Sequence, residues 1–342
     1  MRDLRFYALL FLAVAPVALC ASLVGCKQNA PAIGSPPTTF GVFDQAYTLS
    51  NGTVDVVIVP QIGRVMRYGY VGGPNELWNN PLAKFDGDKP TDWINWGGDK
   101  AWVWPQEGWR RFLPGKQAWP PPMDLPGVRH IVTYSSPLRL RTVSTLIKEF
   151  GFYIVRDYTL APSGTELRVL STMMPAADTD VASLKGLAPW TVAQLPWSPL
   201  VLGITTGDAQ STATDPLTNP LLPVSVVDKK IVKFNLPTEK ESQKVGLDAS
   251  HLASQSSHGT LLVQSIGPRT SRLEYVPVER AQVYSEPKTH PDRPTAVLPY
   301  FELEFTAPLS PDGKPTTLEV VWNLYRTTTD DEAMKIVQSL VR

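Results

Sequence analysis

Cysteine is nearly absent: the 342 residues contain 2, Cys20 and Cys26, both close to the N-terminus. No disulfide can brace the chain beyond them, so the folded part must be stable through burial alone. A domain of about 300 residues can do this, because it buries about three quarters of its unfolded surface. Histidine is scarce as well, with His130, His251, His258 and His290 and no HExxH or Cys-paired spacing. Neither a metal nor a cofactor has a signature, although an oxygen-ligated calcium site would leave little local trace. Excess charge is missing: Lys+Arg 32 balances Asp+Glu 32, and nothing points to nucleic acid as a partner. A GxSxG elbow is lacking, and Gly97-Gly98-Asp99-Lys100 is followed by Ala101, so it is no phosphate loop.

The N-terminus is the first informative segment. Met1 to Arg5 is basic and Phe6 to Val24 is apolar, the pattern of a secretory signal. Leu23-Val24-Gly25-Cys26 resembles the bacterial lipobox, which implies removal of residues 1–25 and lipidation of Cys26. A lone membrane-spanning helix is the alternative, since the apolar run approaches spanning length. The cysteine at the end of the run and the polar, proline-rich stretch after it favour the lipoprotein. Lys27 rather than Asp after the cysteine implies the outer membrane, facing the periplasm. Residues 26–39 read as lipidated N-terminus and tether, and 40–342 as one domain, expected to be a monomer.

From Phe40 onward the apolar period is mostly two. Strands are expected over Thr53–Val59, Arg64–Val71, Val128–Tyr134, Leu138–Arg141, Phe152–Tyr158, Glu166–Met173 and Thr191–Gln194. Others are expected over Val224–Val227, Ile231–Phe234, Leu261–Ser265, Leu273–Val278, Tyr300–Phe305 and Leu318–Tyr325. The 33 prolines and recurrent Gly, Asn and Asp clusters separate them. Leu113–Pro126 and Leu195–Pro223 read as long loops, and His251 and His258 fall in a Ser-rich stretch that reads as solvated loop. One helix is expected at the C-terminus, capped by Asp330, with Ala333, Val337, Leu340 and Val341 on one face. Many short strands and little helix predict an all-β fold, a large antiparallel sandwich or barrel.

Thr91 to Pro122 is the chemically richest stretch. Trp78, Trp93, Trp96, Trp102, Trp104, Trp109 and Trp119 all fall in or near it, interleaved with Asp99, Lys100, Gln106 and other polar residues. Indole faces beside fixed polar groups suit a polyol ring with apolar C–H faces, and they suit the core of a β-domain equally well. Asp99 and Lys100 are adjacent among these rings, where burial would shift their pKa values and favour pairing. Glu302 and Glu304 share one face of their strand and Phe301, Leu303 and Phe305 the other. If that polar face is covered, a carboxylate there can act as base or hydroxyl ligand.

Several of these residues also carry a family resemblance. Asn51-Gly52 before a strand, Pro60-x-x-Gly63-Arg64-Val65-Met66, Gly97-Gly98-Asp99-Lys100-x-Trp102, Pro105-Gln106, Trp119-Pro120-Pro121 and Tyr300-Phe301-Glu302-Leu303-Glu304 with Trp322 are the blocks concerned. Over roughly Phe40 to Arg326 the chain resembles domain-of-unknown-function family 4380, and through it the galactose mutarotases (aldose 1-epimerases) and other carbohydrate-enzyme β-supersandwiches. That resemblance implies a β-supersandwich and a carbohydrate ligand, and the Gly97-Gly98-Asp99-Lys100-x-Trp102 spacing then reads as a long loop crossing its mouth, with Asp99, Lys100 and Trp102 as the working part. It also implies a glutamate base, for which Glu302 is placed, and a histidine acid. The comparable mid-chain stretch, Leu187 to Gln194, has no histidine and offers Trp190 and Gln194 instead. Lys100, or a histidine arriving from elsewhere in the chain, is the candidate replacement. The expected site is therefore Glu302 and Lys100 as the chemical pair, with Arg64, Trp96, Asp99, Trp102, Gln106, Trp190 and Gln194 around the sugar. Binding without turnover, sugar epimerisation or a lyase-like reaction, and a purely structural envelope role are the three readings left open.

Overall fold

A computed structural model of the chain describes residues 37–85, 94–113, 115, 129–209, 213–214, 221–237, 241–273, 279–286 and 299–341. Among these residues the first strands are β1 (Thr38–Phe40), β2 (Phe43–Ser50), β3 (Val54–Val59), β4 (Arg64–Tyr70) and β5 (Asp99–Trp104). They continue with β6 (His130–Ser136), β7 (Arg139–Ser144), β8 (Phe152–Leu160), β9 (Leu167–Pro175) and β10 (Ala188–Pro196). Next come β11 (Leu200–Thr205), β12 (Ala213–Thr214), β13 (Val224–Asp228), β14 (Ile231–Phe234) and β15 (Gln243–Leu247). The last are β16 (Ala249–Gln255), β17 (Thr260–Ile266), β18 (Ala281–Glu286), β19 (Tyr300–Thr306) and β20 (Thr317–Arg326), before helix α1 (Asp330–Leu340).

The strands form two 10-stranded sheets, in the order β1-β2-β3-β4-β5-β10-β19-β18-β15-β12 and β13-β14-β11-β16-β17-β20-β9-β8-β7-β6. Every pairing described between these strands is antiparallel. The main core contains Val56, Ile58, Tyr68, Leu303 and Phe305 of the first sheet with Leu167, Val169, Leu262, Leu318 and Trp322 of the second. Full burial of such side chains contributes about 1.5–3 kcal/mol each. Tyr68 meets Trp322 edge-on at 5.6 Å between ring centroids and donates its hydroxyl to the Trp322 carbonyl. A second apolar cluster joins Leu200, Leu202, Ile204, Ala253 and Val263 to Ala333 and Val337 of α1, so the helix packs on the second sheet.

Several expectations are corrected. Asp99–Trp104 is not a loop but strand β5, paired along its length with β10. Gly97 and Gly98 allow the chain to enter it, with φ of 87° and 72°; a Cβ on Gly98 would come 2.3 Å from the Val65 carbonyl oxygen. Leu195–Pro223 is interrupted by β11 and β12, and the Ser-rich stretch is β16, which ends at Gln255. There His251 is half-buried with Nδ1 at 2.9 Å from Ser250 Oγ, and His258 holds the buried Glu76 carboxylate at 3.0 Å. The cap of α1 is Thr329, whose hydroxyl accepts from Glu332 N, while Glu332 reaches back to Thr328 N. That reciprocal arrangement closes both ends of the first turn, and Asp330 lies inside it. Strand β1 begins at Thr38, inside the segment read as tether. The signal segment, Cys26, Trp93, Trp119, His290 and most of Leu113–Pro126 lie outside the described residues.

Candidate functional site

Side-chain alternation sets the site. On β10 and β19, Ala193, Leu195, Phe301, Leu303 and Phe305 point into the core, so Trp190, Val192, Gln194, Glu302 and Glu304 share the opposite face. Register then extends that face across neighbouring strands. Gln194 lies opposite Glu302, which lies opposite Tyr284, which lies opposite Lys244. The next row runs Lys100, Val192, Glu304, Gln282 and Gly246. Beyond it Trp102 faces Trp190, which faces Thr306. Residues 202 positions apart in the chain, Lys100 and Glu302, thus become neighbours.

The proposed chemical pair is brought together. Lys100 Nζ lies 3.4 Å from Glu302 Oε1, and Gln194 Nε2 donates to the same oxygen at 2.7 Å. Lys100 also sits 4.0 Å from the centre of the Trp102 ring, a cation–π contact that its burial strengthens. Burial, only partly offset by Glu302, lowers the Lys100 ammonium to about 8. Arg64 is fully buried; desolvation lowers it to about 10 against the opposing pull of Glu302 and Asp99, and its Nη1 donates to the Gly97 carbonyl at 2.7 Å. Both cations therefore act on one carboxylate, and Glu302 keeps a small accessible fraction, 9%. That partial opening is where a ligand could reach the pair.

The aromatic residues split between two environments. Trp102, Trp104, Trp109 and Trp190 form one group, with Trp102 and Trp190 edge-to-face at 5.5 Å and Trp104 and Trp190 at 5.8 Å. Trp109 Nε1 donates to the Val103 carbonyl, and Trp190 Nε1 to Glu304 Oε2 at 2.9 Å. Trp96 belongs instead to an apolar cluster with Phe43, Val57, Val59, Ile62 and Met66, its ring 5.6 Å from the Arg64 guanidinium carbon. Gln106 opens the 3₁₀ turn Gln106–Arg111 that follows β5, half-buried.

Asp99 lies on the other side of β5 from Lys100. It is ion-paired with Arg156 of β8, whose Nη1 also donates to the Asp99 and Gly63 carbonyls at 3.2 and 3.3 Å. Burial raises the Asp99 carboxyl, with Arg156 opposing. This pair ties the two sheets together and fixes the strand that carries Lys100. His130 is buried against Thr142 Oγ1 at 2.9 Å, and desolvation, with Arg156 nearby, holds it down to about 3; it stays neutral and belongs to β6, at the far edge of the second sheet.

Three residues of the face escape the sequence reading: Lys244, Gln282 and Tyr284. Lys244 Nζ is 2.8 Å from Glu304 Oε2 and 4.8 Å from the Trp190 ring centre. Tyr284 donates to Glu286, which also accepts from Ser242. The alternation of Gln282, Tyr284 and Glu286 with Val283 and Ser285 is a strand signal that could have revealed two of them. Among the described residues no three His, Cys, Asp or Glu side chains gather as a metal cluster.

No family model and no curated protein matches the chain. Solved structures do. A proposed aldose 1-epimerase from Escherichia coli K12 superposes with TM-score 0.50 at 13% identity, covering 82% of this chain and 99% of that one. A galactose mutarotase related enzyme from Lactobacillus acidophilus gives TM-score 0.48 at 10% identity, over 83% of this chain and 98% of that one. A galactose mutarotase-like protein from Lactobacillus casei gives 0.46 at 12%, over 82% and 100%. The fold is thus of the galactose mutarotase-like type. At these identities the similarity establishes the fold alone.

Proposed function

We propose that this protein binds a carbohydrate on the outer face of the first sheet, as a lipid-anchored protein of the bacterial envelope related to domain-of-unknown-function family 4380. The observation that carries the reading is the convergence of Lys100, Gln194 and Glu302 from three adjacent strands, at 3.4 and 2.7 Å, beside the Trp102 and Trp190 rings. A carboxylate with a small accessible fraction, held by an amide and an ammonium, is a hydroxyl ligand of fixed direction, and indole faces accept the C–H side of a pyranose. The two charges, Lys100 and Glu302, are already paired within the protein, so a neutral polyol fits without leaving a buried charge exposed. The test is calorimetry of the full chain with mono- and oligosaccharides, with Glu302→Gln in parallel. Saturable heat in the wild type, weakened about tenfold or more in Glu302→Gln by loss of a charged acceptor, is expected; no heat with any sugar contradicts the reading.

A second reading is supported by the lowering of Lys100 to about 8. An ammonium of that acidity, one hydrogen-bond length from a carboxylate, meets the requirement for acid–base work near neutral pH. Glu302 would take the proton of the anomeric hydroxyl while Lys100 gives one to the ring oxygen, opening the ring as in aldose epimerisation. Polarimetry of fresh aldose solutions separates the two: interconversion at the spontaneous rate in both wild type and Glu302→Gln leaves binding alone.

A further inference from the structure

Glu304 has no role in the reading above, yet its two carboxylate oxygens are unequally used. It is fully buried; Oε2 accepts from both Lys244 and Trp190, whereas Oε1 has no hydrogen-bond partner among the described residues. Gln194 Oε1 and Gln282 Oε1 are in the same condition. Their amide nitrogens are committed, Gln194 Nε2 to Glu302 and Gln282 Nε2 to Glu279, which fixes both carbonyl oxygens as acceptors. Buried acceptors in native proteins are nearly always paired, and three on one sheet face form a pattern that calls for donors.

The three stand on β10, β19 and β18, consecutive strands of the first sheet. They therefore span two strand spacings, about 10 Å, wider than a single pyranose ring and close to two linked rings. The complement of a set of acceptors is a set of hydroxyl groups; a carboxylate or phosphate placed there would meet the Glu304 carboxylate and the two amide carbonyl oxygens. We propose that Gln194, Glu304 and Gln282, with Lys244 holding Glu304 in place, form a second hydroxyl-reading subsite, so that the ligand is a neutral disaccharide or longer chain and not a free monosaccharide. The inference rests on the carbohydrate reading and sharpens it from sugar to oligosaccharide.

The test is calorimetry of the full chain with glucose and galactose against cellobiose, maltose and lactose, in wild type, Glu304→Gln and Gln282→Leu. At least one disaccharide should bind about tenfold or more tightly than its component monosaccharides, the factor expected for added hydrogen bonds to a charged acceptor. Each substitution should bring that ratio close to one. Glu304→Gln leaves Lys244 without its carboxylate, so Gln282→Leu, matched in size and not itself a member of that ion pair, serves as the independent variant, with melting temperatures of both recorded. Equal affinity for mono- and disaccharides in the wild type, or an undiminished ratio in both folded variants, overturns the second subsite and leaves the carbohydrate reading standing. Absence of binding to every sugar overturns both.

Discussion

Replacing Lys100 with methionine should change how the stability of this protein responds to alkali. The ammonium is lowered from 10.5 to about 8 by burial, so between those values the unfolded chain binds a proton that the folded chain has released. Stability then rises with pH through that window, because the unfolded state holds more protons. Below pH 8 both states are protonated and the burial penalty is at its full size. With one pKa unit worth 1.36 kcal/mol, the gain from this group between pH 7 and pH 9.5 is about 2 kcal/mol. Urea unfolding of wild type and Lys100→Met at pH 7, 8, 9 and 9.5 gives the difference directly. Working with the difference cancels the tyrosines, several of which are raised by burial and act in the opposite sense at higher pH. The wild type should gain about 2 kcal/mol relative to the variant over this range. A difference independent of pH would refute a buried, proton-shedding Lys100, and with it the acid–base reading.

The pair behind β5 offers a separate test. Arg156→Met strands the Asp99 carboxyl between the sheets and should cost about 3–5 kcal/mol in urea unfolding at pH 7, with Asp99→Asn on top restoring part of the loss; a cost under about 1 kcal/mol would mean the pair does not hold the sheets together. At the other end of the chain, Cys26→Ala should release the protein from the membrane fraction of expressing cells, and a variant that stays as firmly bound as the wild type would remove the lipid anchor from the account.

Local pattern carried much of the fold and little of the site. The Glu302-Leu303-Glu304-Phe305 alternation is readable in the sequence because apolar and charged residues differ strongly, and β19 follows it. Strand β5 is concealed by the two glycines that precede it and by the tryptophans of Asp99–Trp104, which read as readily as loop anchors. In β16 the run of Ser, His and Ala lacks the hydrophobic contrast that marks a strand, although Leu252 and Ala253 are buried. The separation of Asp99 from Lys100 follows from strand geometry once β5 is recognised, since adjacent residues point to opposite faces. The contacts that define the site were not legible in this way. Glu302 meets Gln194 and Lys100 across 108 and 202 positions, and such register is set by sheet order, which no local pattern encodes. Lys244 illustrates the same limit: in Gln243-Lys244-Val245 it reads as an ordinary surface lysine, and only β15 lying beside β18 brings it to Glu304.

Sugar binding on the outer face of the first sheet, against Trp102 and Trp190, is tested most directly by the tryptophan indole N–H spectrum of ¹⁵N-labelled protein titrated with the tightest-binding oligosaccharide. Single Trp→Phe substitutions assign the resonances. Trp102 and Trp190, the latter bonded to Glu304 at 2.9 Å, should shift along one saturable curve while Trp322, packed between the sheets against Tyr68, stays in place. Saturable shifts at other indoles with Trp102 and Trp190 unmoved, or no shifts at all, would contradict it.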